Sequence, residues 1–159
     1  MSLRIALYEP DIPQNTGTIL RMAACLGVNV DVIGPCGFVW GGKQMRRAGM
    51  DYLDDVNVVH HLSWETFQTI YLEKRTVLLT TKTKSLYTDF KFHKNDILIM
   101  GSESSGVPNS IHENVNARVK IPLKDGLRSF NLAIASAIVL GEALRQLKSF
   151  PLSNSLELK

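Results

Sequence analysis

An asparagine, a glycine and an arginine lie close together in a stretch whose spacing could place a charged group beside a ligand. Apolar residues recur here every three or four positions, which predicts a helix over 14–26 with Asn15 as its N-cap. Arg21 falls almost opposite the apolar side and shares its face with Gly17. A glycine early in a helix costs about 1 kcal/mol against alanine, so a ligand or another backbone is expected to approach it. An exposed arginine on an ordinary surface helix is the alternative.

A second candidate is the loop 101–106, which follows a predicted buried strand. Its two glycines, Gly101 and Gly106, would let the backbone lie close against a ligand. Pro108 suits the first turn of the helix that follows. The loop matches neither a P-loop nor the dinucleotide fingerprint GxGxxG. A tight strand-to-helix turn without a ligand is the other interpretation.

The third candidate is the segment between a strand that ends near Pro122 and a long helix. Proline cannot donate to a sheet ladder, so the strand must loosen there. Ser129 is a natural N-cap for the long helix, and this role would explain the serine without any ligand. Asn131 is harder to explain structurally, because asparagine is no better a helix former than many alternatives.

The long helix after this segment is predicted to serve a subunit interface. Residues 132–141 carry no charge and are apolar nearly all the way round, so more than one side should be buried. The small residues Ala133, Ala135, Ala137 and Gly141 would admit another backbone closely. In so small a chain the second surface is expected to come from another copy, which predicts a homodimer.

The elements that position these residues alternate between strands and helices along the whole chain. This alternation predicts an α/β fold with a mostly parallel sheet and helices on both faces. Residues 1–150 are expected to form a single domain, with a mobile tail over 151–159. Strands are predicted over 4–8, 30–34, 56–60, 76–81, 96–101 and 117–123, and helices over 14–26, 43–49, 64–73, 108–114 and 129–149.

Composition narrows the class of protein. The 159 residues are 45% hydrophobic with a net charge of +3, which permits an anionic partner such as RNA without requiring one. No apolar run is long enough to span a bilayer, and two isolated cysteines suit a cytoplasmic protein. Four scattered histidines show no metal-ligand spacing, and the doublet His60-His61 is expected to end a strand. We therefore predict no metal site and no membrane association.

Taken together and in order, these segments resemble a known family. They are similar to the three motifs of SPOUT-class methyltransferases, and more narrowly to the TrmL branch, which methylates the ribose 2′-hydroxyl of the tRNA wobble nucleotide. The resemblance covers about residues 3 to 148. The matching segments are Leu7-Tyr8-Glu9-Pro10-x-Ile12-Pro13-Gln14-Asn15-Thr16-Gly17-x-x-x-Arg21, Gly37-Phe38-x-Trp40, Arg46-Arg47-Ala48-Gly49-x-Asp51-Tyr52, Ile99-Met100-Gly101-x-Glu103-x-x-Gly106-Val107-Pro108, Ile121-Pro122-Leu123 and Arg128-Ser129-x-Asn131-Leu132.

The resemblance implies a C-terminal trefoil knot, a dimer and a site for S-adenosylmethionine in the knotted loops. It also implies a catalytic role for Arg21, with Asn15 in the substrate site. Carried over by position, backbone groups of the cofactor site would bind the adenine. The cofactor residues would be Leu79, Gly101, Ile121 and Ser129, with Thr80, Glu103, Gly106, Leu123 and Asn131 nearby.

Five positions depart from the family pattern. The family often has Pro at Ser102, Arg at Ser105, Met at Phe130 and two acidic residues at Gly41-Gly42. The differences at Ser105 and at Gly41-Gly42 concern contacts with RNA and leave the implied cofactor site unchanged.

A basic helix face is the candidate surface for tRNA. Lys43, Arg46 and Arg47 lie at positions i, i+3 and i+4, and nearby Phe38 and Trp40 could stack on an unpaired base. The alternative is a solvated surface. Three rival functions are a non-catalytic RNA-binding module, a dinucleotide oxidoreductase, and a SPOUT enzyme that acts on another tRNA or rRNA ribose.

Overall fold

The computed structural model describes residues 2–48 and 50–152, which contain one six-stranded sheet with every strand pairing parallel. The strand order is β3-β2-β1-β5-β4-β6. Met1, Gly49 and most of the predicted mobile tail, 153–159, lie outside the described residues. The strands are β1 (Arg4–Tyr8), β2 (Asn29–Ile33), β3 (Val58–His61), β4 (Thr76–Leu79), β5 (Ile97–Met100) and β6 (Ala117–Val119).

Helices cover both faces of this sheet. One face packs against α1, α2 and α5, and the opposite face against α3 and α4. A 3-10 helix, Met50–Asp55, follows α2 and contacts α1. The helices are α1 (Pro13–Leu26), α2 (Lys43–Arg47), α3 (Trp64–Ile70), α4 (Asn109–Asn114) and α5 (Leu132–Leu147).

Alternation along the central strands divides the core between the two faces. Ile5 and Leu7 of β1 join the cluster under α1 and α5, whereas Ala6 and Tyr8 join the cluster with Phe67 of α3. Strands covered on both faces are expected to be mostly apolar, and the central strand Ile97–Met100 is apolar throughout. Each large side chain buried in this way contributes roughly 1.5–3 kcal/mol.

Helix α1 begins two residues earlier than the predicted cap. Pro13 occupies the first turn and Ile12 is the N-cap, with no side-chain cap hydrogen bond. The prediction that Asn15 caps this helix is therefore wrong. Proline suits that position because its φ is already helical and its missing N–H would have had no partner. Asn15 lies inside the first turn and is buried.

Helix α5 begins three residues later than predicted. The Oδ1 atom of Asn131 accepts from the backbone N–H of Ala133 at 2.9 Å and of Ile134 at 3.3 Å, so Asn131 is the N-cap. The prediction of Ser129 as the N-cap is wrong. The preceding strand β6 stops at Val119, before Pro122, which lacks the N–H that a ladder needs.

Another backbone, and not a ligand, explains Gly17. A Cβ atom at this position would lie 2.6 Å from the carbonyl oxygen of Ala48 and 2.8 Å from its Cβ. The absence of a side chain therefore lets the end of α2 pack directly on α1. This contact holds the basic helix against the helix that carries Arg21.

A buried polar cluster ties β3 to the rest of the sheet. The carboxylate of Asp31 accepts from Nε of Arg4 at 2.6 Å and from the hydroxyl of Tyr71 at 2.9 Å, and it bonds Nε2 of His61 at 2.7 Å. His60 and His61 end β3, which confirms that prediction. Within residues 2–48 and 50–152 no group of three or more His, Cys, Asp or Glu side chains is arranged to hold a metal. None of the described helices is long and apolar enough to cross a membrane.

Candidate functional site

A cavity of about 620 Å³ opens beyond the carboxyl ends of β4, β5 and β6. Parallel α/β sheets bind ligands at this edge. All nine predicted cofactor residues line it, together with Asn15. The predicted lining residues are Leu79, Thr80, Gly101, Glu103, Gly106, Ile121, Leu123, Ser129 and Asn131.

Several lining residues were not predicted from the sequence. Lys82 lies three residues beyond the end of β4, so the rule that sites gather at strand ends could have identified it. Arg128 entered the prediction only as part of a motif, and His112 on α4 carried no sequence signal. Glu103 is the one acidic residue among the described lining residues, and the cationic side chains are Lys82 and Arg128. The other lining residues that were not predicted include Ile12, Leu78, Ser102, Val107, Phe130, Leu132 and Ala135.

The loop 101–106 closes on itself through its glycines. The backbone N–H of Ser102 donates to the carbonyl of Gly106 at 2.9 Å, and the N–H of Gly106 donates back at 2.8 Å. Gly106 adopts a φ of 66°, which favours glycine. A Cβ at Gly101 would lie 2.8 Å from the carbonyl carbon of Gly106. Both glycines are therefore required by the shape of this wall of the cavity.

A chain of side-chain hydrogen bonds joins the three predicted segments. The Nδ2 atom of Asn15 donates to Oε1 of Glu103 at 3.4 Å, and Nδ2 of Asn131 donates to Oδ1 of Asn15 at 2.9 Å. Asn131 thus caps α5 through its oxygen and holds α1 through its nitrogen. This bridge between α5 and α1 explains the asparagine at position 131, for which the sequence alone offered no structural reason.

Arg21 lies outside the cavity, on the exposed side of α1. Its guanidinium carbon sits 4.8 Å from the ring centroid of Tyr52, a cation–π contact. The α1 helix brings its first turn into the cavity wall at Asn15 and presents Arg21 to solvent nearly two turns later. An incoming large substrate could therefore reach Arg21 without entering the cavity.

The predicted basic face is exposed beside an aromatic group. Lys43, Arg46 and Arg47 are exposed on α2, and Nε of Arg46 donates to the carbonyl of Gly41 at 3.0 Å. The rings of Phe38 and Trp40 are stacked, with centroids 6.4 Å apart, and both are half-buried. None of the three cations lines the cavity, so they form a separate surface on the helix that packs against α1.

A sequence model of the SpoU rRNA methylase family matches residues 2–141 of this chain. That span holds all three segments that build the cavity. The chain belongs to the SpoU methylase family. The parallel sheet with helices on both faces is accordingly the SPOUT fold, as the sequence predicted, while the trefoil knot stays a prediction.

Two relatives of this SpoU family member match it over nearly their whole length, and a third matches it over about half of its own. A tRNA (cytidine(34)-2′-O)-methyltransferase from Beijerinckia indica is 54% identical over 144 residues, 89% of this chain and 90% of the relative. A solved structure concerned with 2-OH methylation of C/U34 on tRNA is 34% identical with a TM-score of 0.87, and the match covers 92% of this chain and 96% of that one. An AdoMet-bound rRNA methyltransferase from Sinorhizobium meliloti is 26% identical with a TM-score of 0.83, covering 96% of this chain and 57% of that one.

Proposed function

We propose that this protein transfers a methyl group from S-adenosylmethionine to the ribose 2′-hydroxyl of the wobble nucleotide, cytidine or modified uridine, of tRNA. The observation that carries the proposal is the convergence of Asn15, Glu103 and Asn131 at one cavity from three distant segments. The 54% identity to a tRNA (cytidine(34)-2′-O)-methyltransferase supports the choice of tRNA and of this nucleotide.

The cavity fits the proposed cofactor in size and chemistry. Its volume, about 620 Å³, lies within the usual range for small-molecule sites. Apolar side chains at Leu79, Ile121 and Leu123 suit a flat adenine, and the bare backbone at Gly101 leaves amide groups within reach of it. S-adenosylmethionine would supply an electrophilic methyl group bound to a positively charged sulfur. When the carbon–sulfur bond breaks, the sulfur keeps the electron pair and becomes a neutral thioether.

The protein's part in the reaction is to orient the ribose and to polarise its hydroxyl, whose proton passes to water as the bond between oxygen and methyl carbon forms. The ribose oxygen must approach the methyl carbon in line, so holding the substrate in place supplies much of the rate. An arginine guanidinium stays protonated near neutral pH and is a poor base. We infer that Arg21 binds a phosphate next to the target nucleotide and polarises the hydroxyl, and its exposed position on α1 supports that role.

Transfer of labelled methyl groups to a tRNA transcript tests this function. The unmodified transcript is expected to accept methyl groups, and a matched transcript with a 2′-deoxy nucleotide at position 34 is not. Loss of the 2′-O-methyl mark at that position in cells lacking the gene would support the same conclusion. Labelling of the deoxy transcript, or of rRNA alone, would show that another ribose is the target. Absence of cofactor binding would favour the non-catalytic RNA-binding module.

The basic face of α2 is proposed as a contact for tRNA. Replacing Lys43, Arg46 and Arg47 together by alanine should weaken tRNA affinity. The slope of log affinity against log salt should become less steep, by about one unit for each phosphate that is no longer neutralised. Fluorescence titration over a salt series measures this slope. Lys94→Ala, at the amino end of the sheet, is the control. Wild-type affinity that does not respond to salt would contradict the assignment.

The proposed active form is a homodimer, formed through the exposed side of α5. On α5, Ile134 is 54% exposed and a Cβ at Gly141 would meet nothing within 4 Å, while Phe130, just before the helix, is 41% exposed. Uncovered apolar residues on one helix face are typical of an interface between copies. Since tRNA is the proposed substrate, we also propose a cytoplasmic location.

Replacing Ile134 by aspartate should convert the dimer into a monomer, because a charge would be buried without a partner. Light scattering after gel filtration measures the mass. Leu62→Asp, which changes a residue 90% exposed near β3, is the matched control and should stay dimeric. A monomeric wild-type protein, or a dimeric Ile134→Asp variant, would refute this interface.

A further inference from the structure

Asp11 lies between β1 and α1 and was not among the predicted site residues. Its backbone N–H donates to Oε2 of Glu103 at 2.9 Å. In return, Oδ2 of Asp11 accepts from the hydroxyl of Ser102 at 3.2 Å and from the hydroxyl of Ser104. Asp11 therefore donates to the loop 101–106 through its backbone and accepts from the same loop through its carboxylate. These hydrogen bonds hold the loop against the residues just before α1.

The contact continues to the other wall of the cavity. Glu103 accepts from Asn15, and Asn15 accepts from Asn131, the N-cap of α5. One unbroken series of hydrogen bonds therefore runs from the loop 101–106 through the first turn of α1 to α5. Arg21 is carried by that same helix α1, so displacement of its first turn would displace Arg21 as well.

The two acids of this series are bound to each other and not to a cation. Neither Asp11 nor Glu103 forms an ion pair with any Lys, Arg or His of the described chain. The hydrogen bond with Glu103, helped by both serines, lowers the pKa of Asp11 to about 2. Burial, followed by the contact with Asp11, raises the pKa of Glu103. The two residues are joined through the backbone N–H of Asp11, and the donors to the Asp11 carboxylate are the hydroxyls of the loop serines.

Packing leaves Asp11 little freedom to move. A Cβ at Gly37 would lie 2.7 Å from Cβ of Asp11, so the loop after β2 covers it closely. The N–H of Gly37 also donates to the carbonyl of Pro10 at 2.9 Å. A residue held in this way, with both carboxylate and amide committed to the loop 101–106, transmits the position of that loop to α1.

We propose that Asp11 is a positioning residue for methyl transfer, which links the cofactor loop 101–106 to the helix that carries Arg21. The inference rests on the proposed function, since it assigns Asp11 a part in that reaction. It predicts that Asp11 affects the rate of transfer from the fully bound complex and has little effect on cofactor binding. Its carboxylate contacts the loop 101–106 and lies outside the lining of the cavity.

Single-turnover methylation at saturating cofactor and tRNA tests the link. Asp11→Ala should lower the rate by about tenfold or more, while the cofactor Kd and the tRNA KM stay within about threefold of wild type. The double variant Ser102→Ala with Ser104→Ala keeps Asp11 and removes its two donors, so it should shift the rate in the same direction. Asp11→Asn retains an acceptor for the serines and should recover most of the rate. Asp89→Ala, an exposed aspartate in another loop, is the control.

The outcomes separate this proposal from the proposed function. A wild-type protein that binds cofactor and fails to methylate tRNA would refute the function itself. A wild-type protein that methylates, with Asp11→Ala equally fast, would overturn the positioning role alone. A loss of rate matched by an equal loss of cofactor affinity would also overturn it, because that pattern shows a merely structural residue. If Asp11→Ala does not fold, Ser104→Ala decides by the same criteria, because Ser104 donates to Asp11 and does not line the cavity.

Discussion

Replacing Arg21 by alanine should reduce methyl transfer to tRNA by at least about 10²-fold, the usual cost of removing a group that stabilises developing charge. Cofactor affinity should stay within about threefold of wild type, because Arg21 does not line the cavity. Its guanidinium packs on the ring of Tyr52, so the core should be unaffected. Single-turnover transfer of labelled methyl groups measures the rate, and calorimetry measures the cofactor Kd.

Two variants sharpen that measurement. Arg21→Lys keeps the charge but lacks the planar fork that binds phosphate through two nitrogens, so its rate should lie between wild type and alanine. Lys94→Ala removes a cation at the amino end of the sheet, opposite the cavity, and should methylate tRNA as fast as wild type. Full activity of Arg21→Ala would refute the catalytic assignment. A matching loss of cofactor affinity would place Arg21 in the cofactor site instead.

Replacing Gly101 by alanine should weaken cofactor binding, with the Kd raised by roughly 100-fold. The new Cβ would meet two backbone atoms of Gly106, at 2.8 Å and 2.9 Å, and backbone cannot yield as a flexible side chain can. Overpacking of this kind costs about 1–3 kcal/mol, and relaxing it requires the wall of the cavity to open. Calorimetric titration with S-adenosylmethionine measures the loss, and circular dichroism checks that the variant folds.

Gly34→Ala is the matched glycine control for this experiment. Gly34 also follows a strand, but the nearest atom to its added Cβ is 3.4 Å away, an ordinary contact. Its cofactor affinity should equal that of wild type. Wild-type affinity in Gly101→Ala would mean that the loop 101–106 does not shape the cofactor site.

The strands could be predicted well because their signal is local. Unbroken apolar runs such as Ile97–Met100 predict a strand buried on both faces, and the order of strands and helices follows from the alternation of such runs with helical patterns. The first strand, Arg4–Tyr8, has the predicted bounds. The ends of helices were less predictable, as at Asn15 and Ser129, because Asn and Ser can cap a helix or serve another partner equally well.

The sequence by itself therefore determined the fold class, the family and the three segments that line the cavity. Only the tertiary structure decided what those residues contact. Asn15 bonds Glu103, which is 88 residues away, and Asn131, which is 116 residues away. Gly17 leaves the space that the backbone of Ala48 occupies. Asp11 accepts hydrogen bonds from the hydroxyls of Ser102 and Ser104. Such partners are set by the placement of β1 beside β5 in the sheet, and no local propensity of the chain encodes that neighbourhood.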